Sequence, residues 1–311
     1  LKKEEAEGIL TEIIQMVASG YSESILYQDA RTAYQLEKMK RVLLRAVMNI
    51  GYQIKKGTFE PRYLEVKFRH IIDVSEYEPG LTEEEKMVIK GKIDRVDIAE
   101  DEEHVYVKVV DYKTGGKRIN FVELYHGLQL QLVVYLNQAV LREQKRHPDK
   151  EVVPAAMFYY PVTDPLIEEE CRAEAEEVSK WITQQLRQSG LFLEKEEVVH
   201  GLDKDFETVS DVVKLERKKD GSYKALSDTI SAETMNLLMH YANRKVIGLG
   251  KEILAGNKSA VPCGDSVCGY CTYSEICQFD NRIPGYERKG IKKGNKEEIL
   301  QMMQEELEQD G

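Results

Sequence analysis

Residues 91–115 read GKIDRVDIAEDEEHVYVKVVDYKTG, two apolar-rich runs on either side of an acidic turn. The pattern predicts two strands. From His104 to Val110 the residues alternate, with Val105, Val107 and Val109 on one face. Strand side chains repeat every two residues, so Asp111 and Lys113 continue that inward face. A carboxylate and an ammonium there are costly to bury without a partner or a use. Asp94, in the first run, is placed to share with Asp111 a hard cation such as Mg²⁺, which prefers carboxylate oxygens and keeps some waters. Lys113 beside them can orient or deprotonate a water, or steady a developing negative charge. That equipment suits metal-assisted phosphodiester hydrolysis, although Asp-Tyr-Lys by itself is also a common strand end.

The rest of the chain sets bounds. Its 311 residues, 42% hydrophobic and 32% charged, can bury a substantial core. A formal charge of −11 argues against coating nucleic acid by bulk electrostatics but leaves room for a local basic track. No apolar run approaches the ~20 residues needed to span a membrane, and no secretory leader is evident. A cytoplasmic address without membrane contact is the default expectation. The first residue is Leu1, which suggests a piece of something longer.

The expected order of parts starts with a helical segment (1–60), its second helix running from about Arg31 to Lys56. The first part carries apolar positions at helical spacing, Ile9, Ile13, Ile14 and Val17, and in the second helix Tyr34, Leu36, Met39, Val42, Leu43, Ala46 and Val47 are read as core rather than a binding face. A core region (61–262) follows, with a strand from Arg62 to Val74 carrying Glu65, the 91–115 pair, and a long helix from about Phe121 to Lys145. A strand from Val152 to Val162 comes next, then a helix from about Glu168 to Ser189 bearing Cys171. An excursion of short strands occupies about 190–227, and a helix capped by Ser231 runs to about Ala255. The turn Thr114 to Arg118 lacks P-loop spacing, so no ATP motor is evident. Its Lys117 and Arg118 are either DNA-phosphate contacts or a solvated loop.

Near the end, Cys263-x4-Cys268-x2-Cys271-x5-Cys277 (within 263–280) gathers four thiols, a pattern better suited to a metal than to disulfides. Zinc is one candidate. A basic stretch and an acidic tail (281–311) complete the chain. The basic stretch either steers a DNA strand or serves as a solvated linker. The tail, with helical apolar spacing, either docks on a partner or folds back.

Glu65, then Gly91-x-x-Asp94-Arg95, then Asp111-Tyr112-Lys113, then a helix with Gln131 and Tyr135 resembles the RecB-type branch of the PD-(D/E)XK nucleases. With the cysteines it resembles the AddB-type nuclease domains of bacterial helicase-nucleases, from about Ser22 to Tyr286. The resemblance implies an α/β fold, a PD-(D/E)XK core with a mixed central sheet flanked by helices plus a C-terminal cysteine cluster. It implies Asp94 and Asp111 as Mg²⁺ ligands, the Tyr112 carbonyl as a further one, Glu65 assisting, Lys113 at the attacking water, and Gln131 and Tyr135 beside the site. It also implies a [4Fe–4S] cluster on Cys268, Cys271 and Cys277. The family's fourth cysteine lies far upstream, and here none precedes Cys171. Either Cys263 substitutes, or the cluster is incomplete in this chain. An early His ligand is missing too, since none precedes His70. The implied activity is DNA cleavage at a processed single strand, as an exonuclease with an AddA-like helicase partner, preparing double-strand breaks for recombinational repair. The alternatives are a free-standing RecB-like exonuclease of the kind found with CRISPR systems, or a non-catalytic DNA-end binding module.

Overall fold

The computed structural model describes residues 2–20, 29–73, 86–165, 175–224, 227–264 and 267–309. By contacts the chain divides into two units, each built from three stretches. The first comprises Leu1–Lys67, Lys92–Arg118 and Tyr135–Ala232, and the second Phe68–Gly91, Ile119–Val134 and Glu233–Gly311.

Strands β1 (Glu60–Asp73), β2 (Lys86–Glu100), β3 (His104–Lys113), β4 (Glu151–Pro161), β5 (Ser189–Leu193) and β6 (Thr229–Ile230) form one sheet in chain order. The acidic turn between β2 and β3 is closed by Asp101, whose carboxylate accepts the amides of Glu103 at 2.9 Å and His104 at 2.6 Å. β2 and β3 are antiparallel, with Arg95 opposite Val110. β3 and β4 are parallel, β4 and β5 antiparallel, and β5 and β6 parallel, so the sheet is mixed as expected.

β3 departs from simple alternation. Tyr106, Lys108 and Val110 are buried along with Val105, Val107 and Val109. Its parallel partner explains this, because a strand in a parallel pair is covered on both faces. Gly190 shows how tightly β5 lies on β4: a Cβ there would meet the Met157 carbonyl and come within 2.9 Å of Phe158 Cα.

α1 (Lys3–Ser19) buries Ala6, Leu10, Ile14 and Ala18 and leaves Ile9, Ile13 and Val17 exposed. The core reading of the second helix changes. In α2 (Ala30–Lys56), Tyr34 and Met39 are exposed, and the buried positions are Ala46, Asn49 and Gln53. Polar residues face inward because acceptors await them. Asn49 donates to the Tyr160 hydroxyl at 3.1 Å and the Leu186 carbonyl at 3.2 Å, and Gln53 donates to Leu186 at 3.0 Å. Each bond meets a desolvation cost that an apolar contact would not incur.

The single helix expected over Phe121–Lys145 is two, α3 (Phe121–Tyr125) and α4 (Gln131–Arg146). Asn120 caps the first, accepting the amides of Val122 and Glu123, and Gly127 at φ 76° ends the run. After β4 comes α5 (Ala175–Gln185); the earlier part of that expected helix, including Cys171, lies outside the described residues.

The 190–227 segment contains α6 (Glu196–Leu202) and then a loop buried at Phe206, Ser210, Val212, Val213 and Leu215. It is tied to the sheet where the Gln188 amide donates to the Val212 carbonyl at 2.9 Å. Internally, Ser210 Oγ donates to Asp203 at 2.7 Å and accepts the amides of Val212 and Val213.

In the second unit, α7 (Ala232–Leu254) starts directly after Ser231. A four-residue helix, α8 (Ser274–Cys277), follows, and α9 (Lys296–Gln309) packs its Ile299 and Met303 inward. The acidic tail folds back: Glu306 accepts from the Tyr241 hydroxyl at 3.0 Å, which also donates to the Tyr125 carbonyl at 2.9 Å, and pairs with Lys245. Part of the basic stretch is consumed here. The Lys292 amide donates to His126 Nε2 at 2.8 Å, and Arg282 pairs with Asp280 at 2.6 Å.

Candidate active site

The β2–β3 register builds the site. One step beyond the Arg95–Val110 pair, Asp94 comes level with Asp111. Directly paired residues share a face, so the two carboxylates sit together. Asp94 Oδ2 accepts the Tyr112 amide at 3.0 Å, which fixes its rotamer. Lys113, two residues beyond Asp111 on the same face, forms an ion pair with it.

Asp111 is 2% exposed. Burial pushes its carboxyl above the ordinary range; Lys113 counters this, and the Asp94 charge adds to it. The buried Asp111 and the half-buried Asp94 are hard-oxygen donors that a divalent cation would neutralise. The Tyr112 carbonyl adjoins them in sequence. Among the described residues no group of three or more His, Cys, Asp or Glu side chains gathers to hold a metal, so this pair stands without a third carboxylate.

Glu65 explains why. It is on β1 at φ 53°, a left-handed conformation inside a strand, and its carboxylate forms an ion pair with Lys92. The Glu65 carboxylate raises the Lys92 pKa, and Asp94 and Tyr135 reinforce it through charge. Lys92 is therefore the link among Glu65, Asp94 and Tyr135. Sequence reading passed over it as one of many lysines. Gln131 is exposed as the first residue of α4, one turn before Tyr135.

The opposite face of the same strands carries a second charged group missed in the sequence. Arg95 grips Asp97 through Nε at 2.6 Å and Nη2 at 2.5 Å, and Lys108 reaches Asp97 at 2.8 Å. Arg95 also approaches the Tyr112 hydroxyl at 3.4 Å. Burial works against the Arg95 charge, but Asp97 outweighs it and the net shift is upward. For Asp97 burial again opposes ionisation, and Lys108 and Arg95 together hold it below the usual carboxylate range. For Lys108 burial wins, and its pKa is lowered. The triad locks β2 to β3 immediately behind Asp94 and Tyr112.

Lys113 and Lys117 both lie over the Tyr159 ring, at 5.9 and 5.5 Å from its centroid. Arg118 acts on Lys214 and Asp228 through charge.

The four C-terminal cysteines are free. Cys268 and Cys271 are linked by a turn, the Cys271 amide donating to the Cys268 carbonyl at 3.3 Å, and Cys277 ends α8. Their chemistry suits a thiolate-ligated metal, but among the described residues the thiols do not converge on a common point. Residues 265 and 266, inside this segment, lie outside the description.

Residues 2–278 match the family model described as the PD-(D/E)XK nuclease superfamily. Among curated proteins, the chain is similar to the B-type subunit of the ATP-dependent helicase/deoxyribonuclease of Alkaliphilus metalliredigens, 33% identical over 98% of the chain and 27% of that protein. It is also similar to the corresponding protein of Alkaliphilus oremlandii, 32% identical over 99% of the chain and 27% of that protein. The Clostridium tetani counterpart is 32% identical over 100% of the chain and again 27% of its own length. The chain thus spans about a quarter of the length of these relatives.

Proposed function

Because the chain belongs to the PD-(D/E)XK nuclease superfamily, we propose that it is the Mg²⁺-dependent exonuclease domain of an AddAB-type helicase-nuclease. It would cleave DNA single strands delivered by an AddA-like helicase partner, during the processing of double-strand breaks for recombinational repair. The observation that carries this reading is the buried Asp111, ion-paired with Lys113, beside Asp94 held by the Tyr112 amide on β2 and β3. No helix of the described residues is long and apolar enough to cross a membrane.

Asp94, Asp111 and the Tyr112 carbonyl would hold the cation. Bound there, Mg²⁺ supplies Lewis-acid polarisation of the phosphate and a lowered water pKa. The chain's own residues do the rest. The Tyr112 amide keeps Asp94 aimed, so the donor pair is preorganised. Lys113, held over Asp111, is the group beside the scissile phosphate. Its ammonium orients the attacking water and offsets the charge that develops on the phosphate oxygens. Lys92 keeps Glu65 engaged and stands between it and Asp94; on this reading Glu65 assists indirectly.

Cys268, Cys271 and Cys277 are proposed as ligands of a [4Fe–4S] cluster, with Cys263 as the fourth. Their spacing and free thiols support this. Ligation would draw the segment tighter and staple it structurally. Iron and acid-labile sulfide in the purified chain are the expected result; zinc alone would overturn it.

The direct test is an assay on end-labelled single-stranded DNA with Mg²⁺. Cleavage should require the metal, stop with EDTA, and vanish in Lys113→Ala and Asp111→Asn. Binding without cleavage by the folded chain would favour a DNA-end binding module instead. Cleavage undiminished in Lys113→Ala would refute the assignment of the site. Full activity with no helicase partner would favour a free-standing exonuclease.

A further inference from the structure

Strand β1 stands at one end of the sheet order, and Tyr63 lies on it two residues before Glu65. Two arginines of α4 cover its ring. The Arg142 guanidinium carbon stands 4.5 Å from the ring centroid, and that of Arg146 stands 5.6 Å from it. The two are one helical turn apart, so both leave the same face of α4 and meet over one aromatic surface. The Tyr63 hydroxyl is buried and has no hydrogen-bond partner among the described residues. Packing alone therefore holds the ring under the two guanidinium groups.

Arg142 and Arg146 are both exposed, and among the described residues no carboxylate comes within ion-pair distance of either. Glu143, next to Arg142 in sequence, turns inward: it is 1% exposed and pairs with His147 at 3.4 Å. Like charges one turn apart repel, and the negative face of the ring is what draws these two together. A guanidinium over a ring keeps its N–H donors in its own plane, in the fork that matches two phosphate oxygens. The elements that make the pair also lead to the candidate active site. On β1 the next residue but one is Glu65, in ion pair with Lys92. On α4, Arg142 is two turns past Tyr135, about 10 Å along the axis.

We propose that Arg142 and Arg146, stacked on Tyr63, form a phosphate-binding site that grips the backbone of the DNA strand outside the cleaving centre. This rests on Asp94, Asp111 and Lys113 being that centre. The two forks close on one phosphate group, and the ring beneath them fixes where they stand. Cations set against aromatic surface are how sequence-tolerant single-strand sites hold a backbone. The strand is thereby held at two places, at the Asp94–Asp111 pair and beyond Tyr135 on α4. A chain with a formal charge of −11 repels a polyanion as a whole, so its hold on DNA has to come from local contacts of this kind.

The test uses the full chain and a fluorescein-labelled oligothymidylate. Binding is read by anisotropy in EDTA, where nothing is cut. The double variant Arg142→Met with Arg146→Met removes both charges at exposed positions and keeps the stems. Lys218→Met with Lys219→Met makes the same charge change on an exposed loop of the same unit. The arginine double variant should weaken binding roughly tenfold at low salt. It should also flatten the slope of log affinity against log salt by about 0.7, the loss of one phosphate contact. The lysine double variant should leave both unchanged. Tyr63→Phe keeps the ring and should bind as the parent does, whereas Tyr63→Leu removes it and should weaken binding about threefold. With Mg²⁺ the arginine double variant should raise KM and leave kcat nearly unchanged. Parent-like affinity and slope in the arginine double variant, equal losses in the lysine double variant, or no binding by the parent chain would overturn the proposal. A chain that binds through these arginines but never cuts would instead defeat the nuclease reading and leave this site standing.

Discussion

Removing Asp97 and removing Lys108 should have very different consequences. The two residues and Arg95 form a buried triad with exposures of 0%, 5% and 3% respectively. Its net charge is +1. Asp97→Asn leaves two cations facing one another in a desolvated space, and breaking a buried pair this way costs about 3–5 kcal/mol. Lys108→Met leaves a neutral, bidentate Arg95–Asp97 pair and replaces the ammonium with a side chain of similar shape. That change should be close to neutral, within about 1 kcal/mol, and can stabilise. Trp181, the only tryptophan, lies on α5 in the same unit, so its fluorescence in urea reports unfolding of that unit. For an m-value of about 3 kcal/mol/M, the Asp97→Asn midpoint should fall by roughly 1–1.7 M. The loss should shrink at alkaline pH. The folded pKa of Lys108 is already below its ordinary 10.5, so the folded state binds fewer protons there and stability rises with pH through that window. Without Asp97 the lysine sheds its proton at still lower pH, which relieves the repulsion. A Lys108→Met midpoint lowered as far as that of Asp97→Asn would refute this charge accounting.

Asp111→Asn should raise the melting temperature in EDTA while abolishing cleavage. The folded carboxyl has a raised pKa, so its ionised form is disfavoured by folding at neutral pH and an amide escapes that cost; a lower melting temperature would contradict this. Adding Mg²⁺ should raise the melting temperature of the parent chain and not of this variant. In an NMR titration His126 should titrate below 6.5, because burial disfavours its charge and the Lys289, Lys245 and Lys292 ammonium groups repel it, outweighing its backbone bond with Lys292. Its stabilising contribution is present above 6.5 and is lost as pH falls through the lowered value, so a measured pKa of 6.5 or higher would contradict this environment. Gly190→Ala should destabilise the first unit by several kcal/mol, about as a buried clash does, since its Cβ has no room against β4; a midpoint within error of the parent would refute the close approach.

The β2–β3 pair and the Asp94, Asp111 and Lys113 set were legible because period-two alternation is local and carries the face of each residue with it. The mixed sheet also followed from the order of strands and helices. What escaped depended on pairing partners that no local window contains. Lys92 acquires its role only when β1 and β2 bring Glu65 beside it. Asn49 and Gln53 gain an inward role only from the Leu186 carbonyl, which lies far along the chain. Tyr34 and Met39 erred the opposite way, apolar by composition and exposed in place. The break between α3 and α4 did leave a signal, the Asn120 cap and Gly127, which the apolar run after Gln129 obscured.

The two units are interleaved along the chain, and synthesis makes that an ordering problem. Residues 68–91 emerge early, yet belong with a stretch that begins at Glu233. The ribosome must therefore add well over a hundred residues before that early stretch can meet its partners. Neither unit can be completed before the other has begun, so the nascent chain holds apolar segments in waiting, a condition that favours chaperone capture and slow maturation. Halting synthesis near Ala232 should then yield a first unit that folds but leaves residues 68–91 without the stretch they belong with, and so prone to aggregate.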